Sequence, residues 1–460
     1  MSKPLFNAFE SVSSKAWKQK IQVDLKGEDY NDSLIWKTDE DINVKPFYHA
    51  DEFKALPNVS DTKATTWKIC QKIDASNAIK ANLKAVDAIN RGAESILFTI
   101  KSESIALEDL FKNIDLKKIT IEIKTDFLSK NFTQKLKTIF SNKDEKLNIA
   151  HHTDIIGNLA KTGNWYSNLK EDFNTFKDIF KDSNQLYIDV SLYQNAGANI
   201  VQQLAYGLAH ANEYLNYLNK VISDKAKQSL TVTFNTAVGS NYFFEIAKLR
   251  ALRQLWSTLA LEYGINPHCK IIATPSRRNK TIYDYNVNLL RTTTECMSAV
   301  LGGSNVICNL PYDALYHKSN EFGDRIARNQ LLILKHESYF NKVNNPADGA
   351  YYIESLTEQL SKKALNIFKN TEAKGGFLKQ LKLGVIQRKI KESAAKEQAN
   401  FDAEKIVLLG TNKHINLADK MKNNLEISPF LKIEKRKTLI EPIIEKRLSS
   451  KLEISRLNKE

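Results

Sequence analysis

The sequence predicts an α/β fold: a (β/α)8 TIM barrel with an N-terminal extension and a C-terminal helical region. Short apolar strand patterns recur through the middle of the chain, and helical patterns separate them. No GxGxxG joins the first strand to its helix, which disfavours a doubly wound open sheet. The strands are expected at 65–73 (TTWKICQKI), 95–100 (SILFTI), 118–123 (KITIEI), 146–150 (KLNIA), 185–190 (QLYIDV), 230–234 (LTVTF), 269–274 (CKIIAT) and 305–310 (NVICNL). Apolar residues at helical spacing predict helices over 77–91, 240–263, 284–301 and 322–336.

Three segments follow. Residues 1–59 form an extension with a helical stretch at 13–23; it is too small and polar to fold alone and should lie across another surface. Residues 60–340 hold the barrel. Residues 341–460 complete it with a helical region (351–402), a short strand KIVLLG (405–410) and a charged helical tail.

Composition narrows the function. With 42% hydrophobic and 26% charged residues, the chain reads as a soluble globular protein. It lacks the ~18 uncharged apolar residues of a membrane span, and its N-terminus lacks an apolar leader. Four cysteines without a CxxC pair argue against zinc or disulfides and fit a reducing, cytoplasmic setting. The net charge of +14 does not indicate nucleic acid: most lysines alternate with acids, and the basic tail has no interleaved aromatics.

In a barrel, chemistry belongs at the C-terminal ends of the strands. Read in order, those ends carry Gln71 and Lys72, Lys101 and Glu103, Lys124 and Asp126, then His151, His152 and Asp154. Gln194 and Asn195, Asn235, Arg277 and Arg278, and Asn309 follow. In HHTDIIG, His152 and Asp154 could serve as a metal or acid–base pair, but a helix cap by Thr153 or Asp154 is favoured because no third ligand has motif spacing. Arg277 and Arg278 could hold phosphate or carboxylate, or could be salt-bridged in a surface loop. Cys308, with no histidine nearby in sequence, reads as a buried inert thiol.

Longer segments then become informative. NYFFEIAKLRALRQLW (241–256), LLRTTTECMSAVLGGSNV (289–306), FGDRIARNQLLIL (322–334) and NNPADGAYYIESLTEQL (344–360) resemble the barrel domain of methylmalonyl-CoA mutases. So do TDEDINVKPFYHADEF (38–53) and VLLGTNKH (407–414). The resemblance covers nearly the whole chain. It implies a barrel whose interior holds a CoA thioester, and adenosylcobalamin chemistry that interconverts methylmalonyl-CoA and succinyl-CoA in propionate metabolism.

The departures from that pattern are concentrated where the family does chemistry. The family's SGYHMQEAGA, aligned on Gln194-Asn195-Ala196-Gly197, puts its histidine on Leu192 and its tyrosine on Ser191. Leucine cannot donate a hydrogen bond to a thioester carbonyl. RPWTIRQY places its arginine on Cys70 and its last tyrosine on Lys72, and YATMY has no counterpart. GGTQSLHTN becomes GGSNVICNL, with Cys308 at the histidine, and RTHSQTSG becomes ATPSRRNK.

The resemblance with these losses implies the small, non-catalytic subunit of a heterodimeric mutase, its large partner subunit holding substrate and adenosylcobalamin. No catalytic, cofactor-binding or metal residue is then expected in this chain. Gln194, Asn195, Asn235, Arg277, Arg278 and Asn309 remain barrel-mouth candidates; Ser191, Leu192 and Cys308 mark lost family positions. Two alternatives stand beside this: an active acyl-CoA mutase barrel whose cobalamin domain is a separate chain, and a non-catalytic acyl-CoA-binding regulatory module.

Overall fold

Alternation along the strands dictates the architecture. In the computed structural model, which describes residues 8–55, 60, 62–141, 148–431 and 436–460, eight strands line up: β1 (Lys68–Asp74), β2 (Ser95–Ile100), β3 (Thr120–Thr125), β4 (Ile149–His152), β5 (Gln185–Asp189), β6 (Thr231–Val238), β7 (Cys269–Pro275) and β8 (Val306–Cys308). Their order is β4-β3-β2-β1-β8-β7-β6-β5, with every neighbouring pair parallel. The first and last strands pair in register, Lys68 with Val306 and Cys70 with Cys308, so the sheet curls into a nearly closed barrel.

One residue of each pair faces the surrounding helices. Ile69, Ile188, Phe234, Ile271 and Ile307 enter the main apolar core, and Ile96, Phe98, Ile121 and Ile123 a second one. Each such side chain, fully removed from water, contributes roughly 2–3 kcal/mol. The helix Ile200–Leu218 starts with a capping box between Asn199 and Gln202, and the helix Tyr351–Ala373 packs across both it and Tyr242–Glu262. The predicted helix over 322–336 is Glu321–Leu332 followed by a π-turn at Ile333–Glu337. That turn carries Lys335, whose Nζ donates to Glu94 (2.6 Å) and to the Trp67 carbonyl (2.8 Å).

β4 and β5 flank the one seam without a ladder. Side chains stitch it. Gln185 Nε2 donates to the Ile149 carbonyl at 3.3 Å, and the His152 and Tyr187 rings stack with centroids 4.2 Å apart. Above them Asp154 accepts from the Asp189 amide (2.9 Å), the Gly157 amide (2.7 Å), His210 Nε2 (3.0 Å) and the Tyr214 hydroxyl (2.8 Å). One carboxylate thus joins β4, β5 and two helices.

Residues 36–53 lie on this chain's own helices. Trp36 packs on Phe244, Tyr48 on Tyr352 and Phe53 on Tyr351. The helix Ser14–Asp24, capped by Ser13, buries no residue. Beyond the helix Val385–Asp402 the chain departs from the expected strand: KIVLLG forms no strand, only an isolated bridge between Leu409 and Lys413. The barrel offers no free edge there, and Leu408 packs instead with Phe401 and Leu448. Residues 439–448 then run as an irregular strap over the C-terminal face before a short helix, Ser450–Leu457. Amides of Ile443, Lys446 and Leu448 donate to the carbonyls of Ala160, Asn195 and Arg278 at 2.7, 3.0 and 3.0 Å.

Replacing Asp154 by alanine strands four donors at once, so Asp154→Ala is expected to lower unfolding free energy by about 3 kcal/mol. Urea denaturation followed by circular dichroism reads this directly; a loss under about 1 kcal/mol contradicts the stitching role.

Candidate functional site

The inward-facing positions form the site a barrel uses for ligands, and here they are crowded and charged. A small apolar cluster, Cys70, Ile272, Val306 and Cys308 with Leu97, fills the β1–β2 and β7–β8 side. The remaining interior is polar. Glu122, on β3, is fully buried and pairs with Lys270 from β7 across the barrel and with His152 Nε2 at 2.7 Å. Lys68 Nζ donates to the Thr120 hydroxyl at 2.5 Å one layer below.

These charges are set by the competition between burial and partners. Burial works to raise the Glu122 carboxyl, yet Lys270 and His152 together bring it down to about 2. Burial pushes both histidines the other way, and His151 falls to about 3. His151 sits outside the barrel wall, between the Thr125 and Thr133 hydroxyls at 3.3 and 3.2 Å.

Higher on the barrel, Lys124 Nζ lies 2.6 Å from Asp189, whose other oxygen accepts from Ser191 (2.5 Å) and Asn235 Nδ2 (2.9 Å). Burial opposes both charges, but the pairing wins: the ammonium is held above its usual range and the carboxyl below. A cavity of about 250 Å3 opens beside this pair, lined among others by Lys124, Asp126, Lys161, Tyr166, Tyr187 and Leu192. Leu192 contributes a hydrocarbon wall to this cavity.

The sequence-derived candidates separate into groups. Asn235 joins Ser191 and Asp189 at the mouth. Gln194 is turned away and buried, donating to Glu245 (3.1 Å) and accepting from Lys248 (2.9 Å). Asn195 Oδ1 accepts from Ser276 and the Arg277 amide, both at 3.0 Å, and so locks two loops together. Gly197 has φ +98°, and a Cβ there would meet Ala394 and Arg278 at 2.5 and 2.9 Å. Asn309 is structural, donating to the Ala327 carbonyl and Gln330 at 2.9 Å each.

Of the two readings of the arginine pair, Arg278 follows the ion-paired one, although it is buried rather than in a surface loop. Arg278 is consumed by Glu397 (2.5 Å) and the Lys446 carbonyl (2.6 Å), so only Arg277 is exposed. The following Lys280 is also consumed, by Glu295 at 2.7 Å. Cys308 is buried against Cys70. In HHTDIIG, Asp154 caps the helix Ile155–Thr162. His152 pairs with Glu122 rather than with Asp154, which His210 takes.

Both histidines of HHTDIIG are engaged by neighbouring side chains, His152 by Glu122 inside the barrel and His151 by Thr125 and Thr133 outside its wall. Among the described residues no cluster of three His, Cys, Asp or Glu is arranged to hold a metal.

Comparison with known proteins connects this geometry to a family. Residues 99–455 match the family model described as methylmalonyl-CoA mutase. Over 90% of the chain there is 34% identity to the methylmalonyl-CoA mutase small subunit of Porphyromonas gingivalis, of which 72% is covered. The chain belongs to the methylmalonyl-CoA mutase family. The large subunit from the same organism is 34% identical over 52% of this chain and 35% of its own length. A methylmalonyl-CoA mutase of Rhizobium meliloti is 29% identical over 83% of this chain, which spans 61% of that relative.

Sequence reasoning placed Lys124 and His152 at strand ends but missed Glu122 and Lys270, with which the barrel interior is charged. The signal existed: Glu122, Lys124 and Lys270 interrupt apolar strands at inward parity.

Acidification tests this network. A buried histidine held at about 3 and a carboxylate held at about 2 both bind protons more readily once unfolded. Stability should therefore be full above pH 6.5, fall as the histidine window opens toward pH 3, and fall again below about 4.5 through Glu122. Urea midpoints measured from pH 7 to pH 3 check the slope; a flat profile would falsify the buried pairing.

Proposed function

We propose that this chain is the small, non-catalytic subunit of a heterodimeric methylmalonyl-CoA mutase, an isomerase, working in the cytoplasm. Its role is to pair with a large catalytic subunit that carries both the acyl-CoA and the adenosylcobalamin. The observation that carries the reading is the interior itself. Where the family resemblance implies a channel for a CoA thioester, Glu122, Lys270 and His152 span the lumen, and Lys124 and Asp189 cross its upper layer.

A substrate threading that lumen would have to break a buried ion pair and leave a charge without its partner, at a cost of several kcal/mol. At the rim, Leu192 offers no proton donor. The small-subunit name of the Porphyromonas gingivalis relative supports the same reading, and the existence of a named large subunit in that organism supports the pairing. An inactive barrel still has a physical role: a partner that binds only the native form stabilises the assembly by mass action.

Co-expression with the large subunit of the same genome should yield a one-to-one complex in which all bound cobalamin resides on the partner. The isolated chain, given adenosylcobalamin and a cobalamin-binding domain in trans, should form no succinyl-CoA. Leu192→His should not restore turnover either, because the lumen stays filled. Turnover by the isolated wild-type chain sinks the proposal.

A further inference from the structure

All four cysteines of the chain are buried, and two of them meet. Cys70 on β1 and Cys308 on β8 are direct partners in the ladder that joins the first and last barrel strands. Their neighbours Ile69 and Ile307 face the helices and enter the main core, so alternation turns both thiols into the lumen. There they share one small apolar cluster with Ile272 and Val306. The other two cysteines lie elsewhere. Cys269 opens β7 and faces the main core, and Cys296 sits in the helix Val287–Leu301, where its Sγ donates to Asn309 Oδ1 at 3.4 Å.

Ladder partners on adjacent strands stand about 4.8 Å apart. That falls within the ~4.4–6.8 Å between Cα atoms that a disulfide spans. Inward side chains of a barrel converge, which brings the two Cβ atoms closer still. Sequence alone makes Cys308 inert because no histidine stands near it, but the fold supplies a second thiol instead. Both cysteines are departures from the family pattern, and the barrel sets these two departures opposite each other.

The pair is also placed for reaction. Cys308 ends β8 at the C-terminal side of the barrel. One inward row above Cys70, Lys72 is exposed to water at the mouth. The neighbouring Cys70 thiol, and then the Lys72 ammonium, hold Cys308 below the usual thiol range, although burial works the other way. Cys70, beside Cys308 and buried, is held above that range. One sulfur is thus the better nucleophile, and the other keeps its proton.

We propose that Cys70 and Cys308 form a redox-reactive dithiol, which a hydroperoxide oxidises to a disulfide bridging β1 and β8. With hydrogen peroxide, the Cys308 thiolate attacks one oxygen and the O–O bond breaks. The leaving hydroxide takes up the proton that Cys308 had released and becomes water, and Cys308 becomes a sulfenic acid. The Cys70 sulfur then attacks the Cys308 sulfur; the S–O bond breaks, and the hydroxyl leaves with the Cys70 proton as a second water. Two electrons pass from the sulfurs to the peroxide. A small thiol reverses the bond by exchange. The dithiol is independent of the subunit assignment, because neither thiol belongs to the charged network on which that assignment rests.

Treatment of the folded full chain with hydrogen peroxide, followed by denaturing alkylation and non-reducing peptide mass spectrometry, tests it. A linked peptide pair carrying Cys70 and Cys308 is expected, with Cys269 and Cys296 still alkylated. Dithiothreitol should return both thiols. Cys308→Ser should abolish the bond. Cys70→Ser should strand Cys308 as a sulfenic acid, raising its labelling by dimedone about ten-fold over the wild type. A thermal melt verifies that each variant keeps its fold, and the wild-type peptide map decides the matter even where a variant does not. No bond in the folded chain, a bond formed only after unfolding in urea, or Cys308 linked to Cys296 or to a second chain overturns the proposal.

Discussion

A carboxylate in the middle of a barrel is the constraint around which this molecule is arranged. Glu122 has no solvent contact, and an uncompensated charge there would be prohibitively costly. Its two oxygens are therefore taken, one by Lys270 from across the lumen and one by His152 from the adjacent strand. Those two bonds tie β3 to β4 and to β7, and His152 in turn stacks on Tyr187 of β5. The registers of half the barrel are thereby coupled to one charge. The ions that occupy this part of the lumen are thus the same ones that hold the wall together.

The same logic operates at the seam. Strands β4 and β5 have no ladder, and a barrel with an open seam would expose backbone groups. Asp154 supplies the missing acceptors from a helix cap, an economical place because an N-cap carboxylate already faces free amides. Its neighbours His210 and Tyr214 come from the buried helix Ile200–Leu218, so the seam is fastened to the core rather than to solvent-exposed loops.

Much of this was legible in the sequence. Seven of the eight strands fell largely where short β-rich runs stood, because parallel strands buried on both faces carry few ambiguous residues. The run expected at 146–150 lies partly outside the described residues, and the strand there runs from Ile149 on through His152. SILFTI matched residue for residue. KIVLLG misled because its composition suits a strand, while pairing depends on a free edge, which is a tertiary property. The site was harder. Arg278 and Gln194 look like ligand-seeking side chains at strand ends, and their partners Glu397 and Glu245 lie 119 and 51 residues away. The lumen charges obeyed simple parity within TIEIKT and CKIIATP, but parity alone does not say whether inward lysines and glutamates meet each other or a ligand.

The strap also sets the timing of assembly. Its Leu439 amide meets Asn164 across 275 residues of chain, and Asn164 in turn reaches Lys437 across 273. During synthesis at about 5–20 residues per second, the helix Ile155–Thr162 waits roughly 15 to 55 s for that contact. Until then the β4–β5 quarter of the mouth is uncovered, with the apolar side of Ile440 and Ile443 absent from the core they later join. That interval is when chaperones or premature association with neighbouring chains would act on it.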